Sequence, residues 1–288
     1  MVVKKLLISH FYNEEFLLPF WINHHLRIFD NAVLINSNST DRSVEIINNM
    51  APKWQIINSP NQNFDSQSTD KLIMEIEKDF KGFSKIVLNT TEFLLINNEY
   101  KFEQNLKNFK ANRLNTFITC SQKNKIYIKD LIKEENFGFW DDNYNIMLPY
   151  LKFNWGLGSR KRIIHSYPSG LYKPGRHVTL HKKVNLLERD IAYIRWYSLS
   201  PWTKEFLNRK LEIQNSISQN DLDRNFSYHH FINQKNLEDR RNYFIKISHE
   251  YPGKLKPPFI RKLYEFVRFN LRLINFIRFK FAKVTTQT

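Results

Sequence analysis

The chain has one cysteine, Cys120, in 288 residues. No intrachain disulfide can form, a cysteine-based zinc site is excluded, and a reducing compartment is the simplest setting. Glycine and proline are sparse, at seven and ten residues, which argues against low-complexity segments and extended linkers. Neither the G-x-G-x-x-G of a dinucleotide-binding turn nor the G-x-x-x-x-G-K-[ST] of a phosphate loop occurs. A Rossmann dehydrogenase or a P-loop NTPase is therefore not expected. Long apolar runs are missing too. The opening MVVKKLLISHFYNEE meets charge too soon for a signal peptide or a membrane span, and a cytoplasmic protein is expected.

What is present is enough for a core: 42% of residues are hydrophobic and 15% aromatic. Charge is unevenly spread. Residues 1–150 carry 17 basic against 18 acidic side chains, and residues 151–288 carry 27 against 10. The second half thus faces either something anionic (phosphates, a membrane surface, nucleic acid) or only solvent. No nucleic-acid recognition motif accompanies the charge, so no nucleic-acid partner is expected.

Apolar runs that read as buried strands alternate with segments of helical spacing. Lys4–Ser9, NAVLINS, KWQIINS and FSKIVLN are the strands. NEEFLLPFWINHHLRIF, with Asn13 as N-cap, TDRSVEIINNM and TDKLIMEIEKDF are the helices. This alternation predicts βαβ units and a mostly parallel sheet. NTFITC and KRIIHSY read as further strands, and from Asn185 the pattern reads as helical, with Ser200 as an N-cap and Pro201 at the first helical position of SPWTKEFLNRKLEIQNSI. The expected division is an α/β domain over 1–185, a helical extension over 186–250, and a linker with a basic C-terminal helix over 251–288.

Ligands of an open parallel sheet bind beyond the carboxyl ends of its strands. Here those ends are SHFYNEE, INSNSTD, NSPNQNFDSQSTD and LNTTEF. All are polar and none is glycine-rich, so side chains must do the recognising, and Asn, Ser and Asp suit a ribose and a nucleobase.

SHFYNEEFLLPFWINHHL resembles the first strand and helix of the GT-A fold nucleotide-diphospho-sugar transferases, particularly family-2-like glycosyltransferases. LINSNSTDRSVEII resembles their second strand and its turn, and KIVLNTTEFLL sits where they carry an Asp-x-Asp motif. The resemblance covers roughly Lys4–Ile96. YKPGRHVTLH and SPWTKEFLNRKLEIQ are similar to segments of a bacterial subgroup of such enzymes. It implies a glycosyltransferase acting in cell-envelope polysaccharide biosynthesis, from a nucleotide-sugar donor to a glycan or lipid-linked acceptor hydroxyl. By this resemblance the donor would be held by Asn13, Glu14, Asn36, Asn38, Asp41, Asp65, Asp70 and Arg176. Asp41, together with Ser39, reads equally as ordinary helix capping.

The family's Asp-x-Asp binds a divalent cation, Mg²⁺ or Mn²⁺, that bridges the diphosphate. This chain has Asn89, Thr90 and Thr91 there, with only Glu92 charged. Hard cations require carboxylates, so three readings stay open. Glu92 binds a metal with help from Asp65 or Asp70, or from a late histidine, of which His177 is the best match; or Arg and Lys neutralise the diphosphate without metal; or catalysis is lost and the chain binds nucleotide or glycan without turnover. For an inverting transfer one carboxylate base is needed. Asp141 and Asp142, in the aromatic stretch NFGFWDDNY, are the candidates, against a reading as solvated turn acids.

In FIRKLYEFVRFNLRLINFIRFKFAK, Arg261, Glu265, Arg268 and Arg272 form one stripe opposite Leu263, Phe266, Ile274 and Ile277. This is the pattern of a basic amphipathic helix at a membrane interface, or of a helix packed on its own domain. Residues 254–283 hold nine basic groups and one acidic, each basic group contributing about 1 kcal/mol at an anionic leaflet. The protein is expected to sediment with anionic vesicles and much less with neutral ones, and deletion of 258–288 to abolish this; equal sedimentation with both would refute the reading.

Overall fold

The computed structural model describes residues 3–120, 138–141, 161–188, 190–224, 226–227 and 230–250; for 117–120, 138–141 and 243–250 only the backbone is described. The tail helix, the 251–259 linker and Asp142 lie outside the described residues.

A seven-stranded, mostly parallel sheet forms the centre. Its parallel part is β3 (Gln55–Asn58), β2 (Asn31–Asn36), β1 (Lys5–Phe11) and β4 (Ser84–Val87), in that spatial order. Beyond β4 lie β9 (Arg162–His165), antiparallel to both neighbours, then β6 (Ala111–Leu114) and the two-residue β10 (Asn185–Leu186). β1 reads KLLISHF because helices or sheet cover both its faces, the condition under which strands are continuously apolar. Leu7 and Phe11 point into one core with α1 (Leu18–His25) and α2 (Ser43–Met50), and Leu6 and Ile8 into another with α3 (Ser66–Asp79). The α/β class with a mostly parallel central sheet is as expected and consistent with a GT-A-like fold.

A second sheet packs beside the first, in the order β5 (Glu92–Ile96), β11 (Ala192–Trp196), β7 (Thr116–Cys120), β8 (Gly138–Asp141). Its Phe93, Leu94 and Ile194 share the core of α1 and α2. One expectation is corrected here, and one helix is new. The helical reading from Asn185 fails for its first part, because Ala192–Trp196 is a strand paired along its whole length with β5 and buried throughout, while helices do follow from Lys204. The chain between the central strands also holds an unforeseen helix, α4 (Glu99–Asn108), whose N-cap Asn98 accepts the Lys101 N–H at 2.9 Å.

Helix starts differ in instructive ways. α1 begins at Leu18 with Pro19 in its first turn, where the missing N–H costs nothing; Asn13 is no cap, but a left-handed residue at φ 50°. Thr203, not Ser200, caps α5 (Lys204–Glu212), accepting the Phe206 N–H at 3.3 Å. A 3-10 turn (Ile213–Ser216), the short α6 (Gln219–Asp223) and α7 (Gln234–Glu250) follow. Among the described residues, no helix is long and apolar enough to cross a membrane.

His25 belongs to the core. It has no exposed surface and accepts the Leu94 N–H on Nε2 at 3.2 Å. Burial, and then the neighbouring His24, hold its pKa well below the ordinary imidazole value. The unfolded chain therefore binds a proton that the folded one refuses, and stability present above about pH 6.5 is lost as pH falls below it, at up to about 1.4 kcal/mol per pH unit. Urea midpoints should fall from pH 7 towards pH 5, and His25→Gln should flatten that slope; an unchanged slope in the variant would show that His25 titrates normally.

Candidate functional site

The turn Asn36–Asp41 after β2 is the densest polar cluster in the first half, and its side chains are turned onto neighbouring loops. Asn36 Oδ1 accepts the Ser39 N–H at 2.9 Å, and its Nδ2 donates to Asn58 Oδ1 at 3.3 Å. Asn38 Nδ2 donates to the carbonyls of Asn61 and Gln62, at 3.1 and 2.9 Å. Asn13 Oδ1 accepts the Thr40 N–H at 2.8 Å, and Ser39 Oγ accepts the Asn13 N–H at 3.1 Å. Asp41 accepts the N–H groups of Glu15 and Ser43, at 2.9 and 3.0 Å. These bonds fasten the carboxyl ends of β1, β2 and β3 to one another. Asn13, Asn36, Asn38 and Asp41 are in this structure braces of a loop lattice, because their polar groups satisfy backbone that glycine-poor turns would otherwise leave bare.

What they brace is a cavity of about 660 Å³ at the carboxyl ends of the four parallel strands. His10, Phe11, Tyr12 and Glu14 come from the end of β1, Ser37 from β2, Phe64 and Ser66 from the segment after β3, and Asn89–Thr91 from the end of β4. One wall is the turn Pro174–Val178; the other is Arg209, Lys210 and the turn that follows them. Phe64 ties that second wall in: its N–H donates to the Ser216 carbonyl at 2.6 Å and its carbonyl accepts the Ser218 N–H at 2.9 Å. Asp65 caps α3 through the Ser68 N–H at 2.7 Å and also accepts Asn220 Nδ2 at 2.7 Å. Asp65 thus fixes the wall and does not line the cavity.

Three arginines ring the cleft, each held by a buried carboxylate. Arg162 meets Glu92 side-on, Nε to Oε2 and Nη2 to Oε1, both at 2.8 Å. Arg209 makes the same two-pronged contact with Glu14, and Arg176 binds Asp70. All six residues are no more than 8% exposed. Such pairs survive desolvation only with fork geometry and further hydrogen bonds. Here Asp70 Oδ2 also accepts the Gly175 N–H at 3.1 Å, and the Gly175 carbonyl accepts Arg162 Nη1 at 3.0 Å. Gly175 lies at φ 84°, which side-chain-bearing residues rarely adopt. His10 stacks on Phe64 (centroids 5.1 Å apart) and brings Nδ1 to 3.4 Å from Arg176 Nη2. Burial, then Arg176 and Arg162, lower its pKa well below the ordinary value, so it meets the guanidinium as a neutral acceptor.

The metal expectation meets a poor donor set. Both oxygens of Glu92 are taken by Arg162, and Oε2 also accepts the Asn89 N–H at 2.8 Å. The Thr91 hydroxyl accepts Trp196 Nε1 at 3.1 Å and the Thr91 carbonyl accepts the Tyr197 N–H at 2.8 Å. Asn89 and Thr90 remain as neutral oxygens, which do not fit a hard divalent cation. Glu92 is accordingly an anchor for Arg162 and not a free ligand. His177 lines the cleft, with Nδ1 3.3 Å from the Lys161 carbonyl, whereas His181 bonds the Ser169 carbonyl at 2.8 Å and stacks on Tyr167. Among the described residues no group of three or more His, Cys, Asp or Glu could hold a metal ion.

Of the residues expected to bind the donor, Glu14 and Arg176 line the cavity and Asp70 stands directly behind it. His10, Phe64 and Arg209 were not foreseen; His10 carried the one available signal, a polar residue at the carboxyl end of an otherwise apolar strand. The Asp141 backbone pairs with Phe117 in β8–β7; its side chain, like Asp142, lies outside the described residues.

No protein-family model matches the chain, and no curated protein matches it. Among solved structures it is similar to the 1–349 fragment of S. aureus TarS in complex with UDP-GlcNAc, at 13% identity and a TM-score of 0.44, over 74% of this chain and 66% of that one. A longer S. aureus TarS structure gives 14% and 0.41, over 73% of this chain and 39% of that one. The likeness is one of general shape.

Removing the carboxylate that holds Arg162 leaves a buried charge without its partner. Glu92→Ala should lower stability by about 3–5 kcal/mol in urea denaturation; a midpoint like that of the parent protein would show that the pair is not buried in solution.

Proposed function

We propose that the cleft binds a nucleoside-diphosphate sugar and transfers the sugar to a hydroxyl of a glycan or lipid-linked acceptor. The observation that carries this reading is the cavity at the carboxyl ends of four parallel strands, where aromatic faces meet three tethered arginines without a glycine-rich phosphate loop. Aromatic faces such as Phe64 and Tyr12 suit a base or a sugar ring. The guanidiniums suit a diphosphate, whose charge grows as it leaves. In the transfer the acceptor oxygen attacks the anomeric carbon, the bond to the diphosphate breaks, and the acceptor proton passes to a base, for which Asp142 or Asp141 is proposed.

One observation favours a second reading, binding without turnover. The three carboxylates at the cleft, Glu14, Asp70 and Glu92, are all ion-paired, so none of them offers a ready base. The two readings separate experimentally. At least one member of a nucleotide-sugar panel should raise the melting midpoint and release nucleoside diphosphate when acceptor glycans are added. Asp142→Asn or Asp141→Asn should slow that release by about a hundredfold or more while leaving the midpoint shift in place. A midpoint shift without release favours the binding-only reading; no shift with any nucleotide sugar overturns both.

A further inference from the structure

We infer that the cleft holds the diphosphate of its ligand without a divalent cation, with Arg176 and Arg209 as the diphosphate-binding groups. The inference rests on the nucleotide-sugar reading above, and three observations carry it further. First, the position where a metal-binding pair of aspartates would stand offers Asn89, Thr90 and Thr91, and the adjoining Glu92 is closed by Arg162 and the Asn89 N–H. Second, among the described residues Arg162, Arg176, Arg209 and Lys210 line the cavity against the carboxylate Glu14, with Asp70 and Glu92 paired behind it. Such a balance repels a divalent cation and attracts an anion.

Third, two of the arginines have donors to spare. Arg176 Nε and Arg209 Nη1 are buried and have no hydrogen-bond partner, on side chains that line the cavity and are 5% and 8% exposed. A buried N–H without an acceptor is costly, and a phosphate oxygen satisfies it with a charge-assisted bond. The carboxylates behind these arginines are not competitors for the ligand. Glu14 takes the Nε–Nη2 edge of Arg209, and Asp70 and His10 take Nη1 and Nη2 of Arg176, so that Arg209 Nη1 and Arg176 Nε remain for the anion. Arg162 differs: Nε, Nη1 and Nη2 all have protein acceptors, and its part is to position the Gly175 turn.

The test is binding of UDP, GDP and ADP by calorimetry, first in chelator and then with Mg²⁺ or Mn²⁺, together with competition by inorganic pyrophosphate in chelator. Affinity for the preferred nucleotide should change by less than about twofold on adding metal, and pyrophosphate should displace it. Arg176→Gln and Arg209→Gln should each weaken binding in chelator by about tenfold or more, the loss of a charged hydrogen bond. Because each Gln variant strands a buried carboxylate, Arg176→Lys and Arg209→Lys are measured alongside, with circular dichroism melting. They keep the positive charge beside Asp70 or Glu14 but lose the fork, and should weaken binding with the fold retained. Binding that appears only with metal overturns the inference while the nucleotide-sugar reading stands. Metal-free binding undiminished in folded Lys variants also overturns it. No binding of any nucleoside diphosphate under any condition removes both.

Discussion

The contact between Glu92 and Arg162 is where the two sheets meet. Glu92 opens β5 in the smaller sheet, Arg162 opens β9 in the larger one, and neither has more than 1% of its surface exposed. Two ions so deeply buried tolerate little misplacement, because any lost hydrogen bond leaves a desolvated charge. The pair therefore fixes more than itself. Trp21 of α1 donates to the Glu92 carbonyl at 2.9 Å, Asn89 is held by the Glu92 carboxylate, and Arg162 holds the turn that forms one wall of the cleft.

The same logic explains how the acids are distributed. The end of β4 is neutral and the nearby acids face arginines supplied from far along the chain: Glu92 from 70 residues away, Asp70 from 106 and Glu14 from 195. Part of the basic excess of the second half, Arg162, Arg176 and Arg209, is thereby brought into the cleft.

The α/β core was legible because its signals are local. β1 to β4 are short apolar runs, and α3 shows apolar spacing with Asp65 at its cap. β11 was not legible, since AYIRW sits between helix-compatible segments and its pairing with β5 and β7 makes it a strand. The site was half legible. That ligands would meet the strand ends follows from the parallel sheet, but which polar residue faces the cavity does not. Asn36 and Asn38 look like ligand-binding amides in sequence and are loop braces in space, whereas Arg209 looks like a solvent-facing helical residue and is buried against Glu14. Pairing across such separations leaves no trace in periodicity or spacing.

Gly175 has a consequence for how the cleft is tied to the seam between the sheets. Its N–H is bound to the acid of one ion pair and its carbonyl to the base of another. A single residue without a side chain is thus the mechanical link between Asp70–Arg176 and Glu92–Arg162. The wall and the seam therefore share one hydrogen-bonded network, to which Gly175 contributes through its backbone alone.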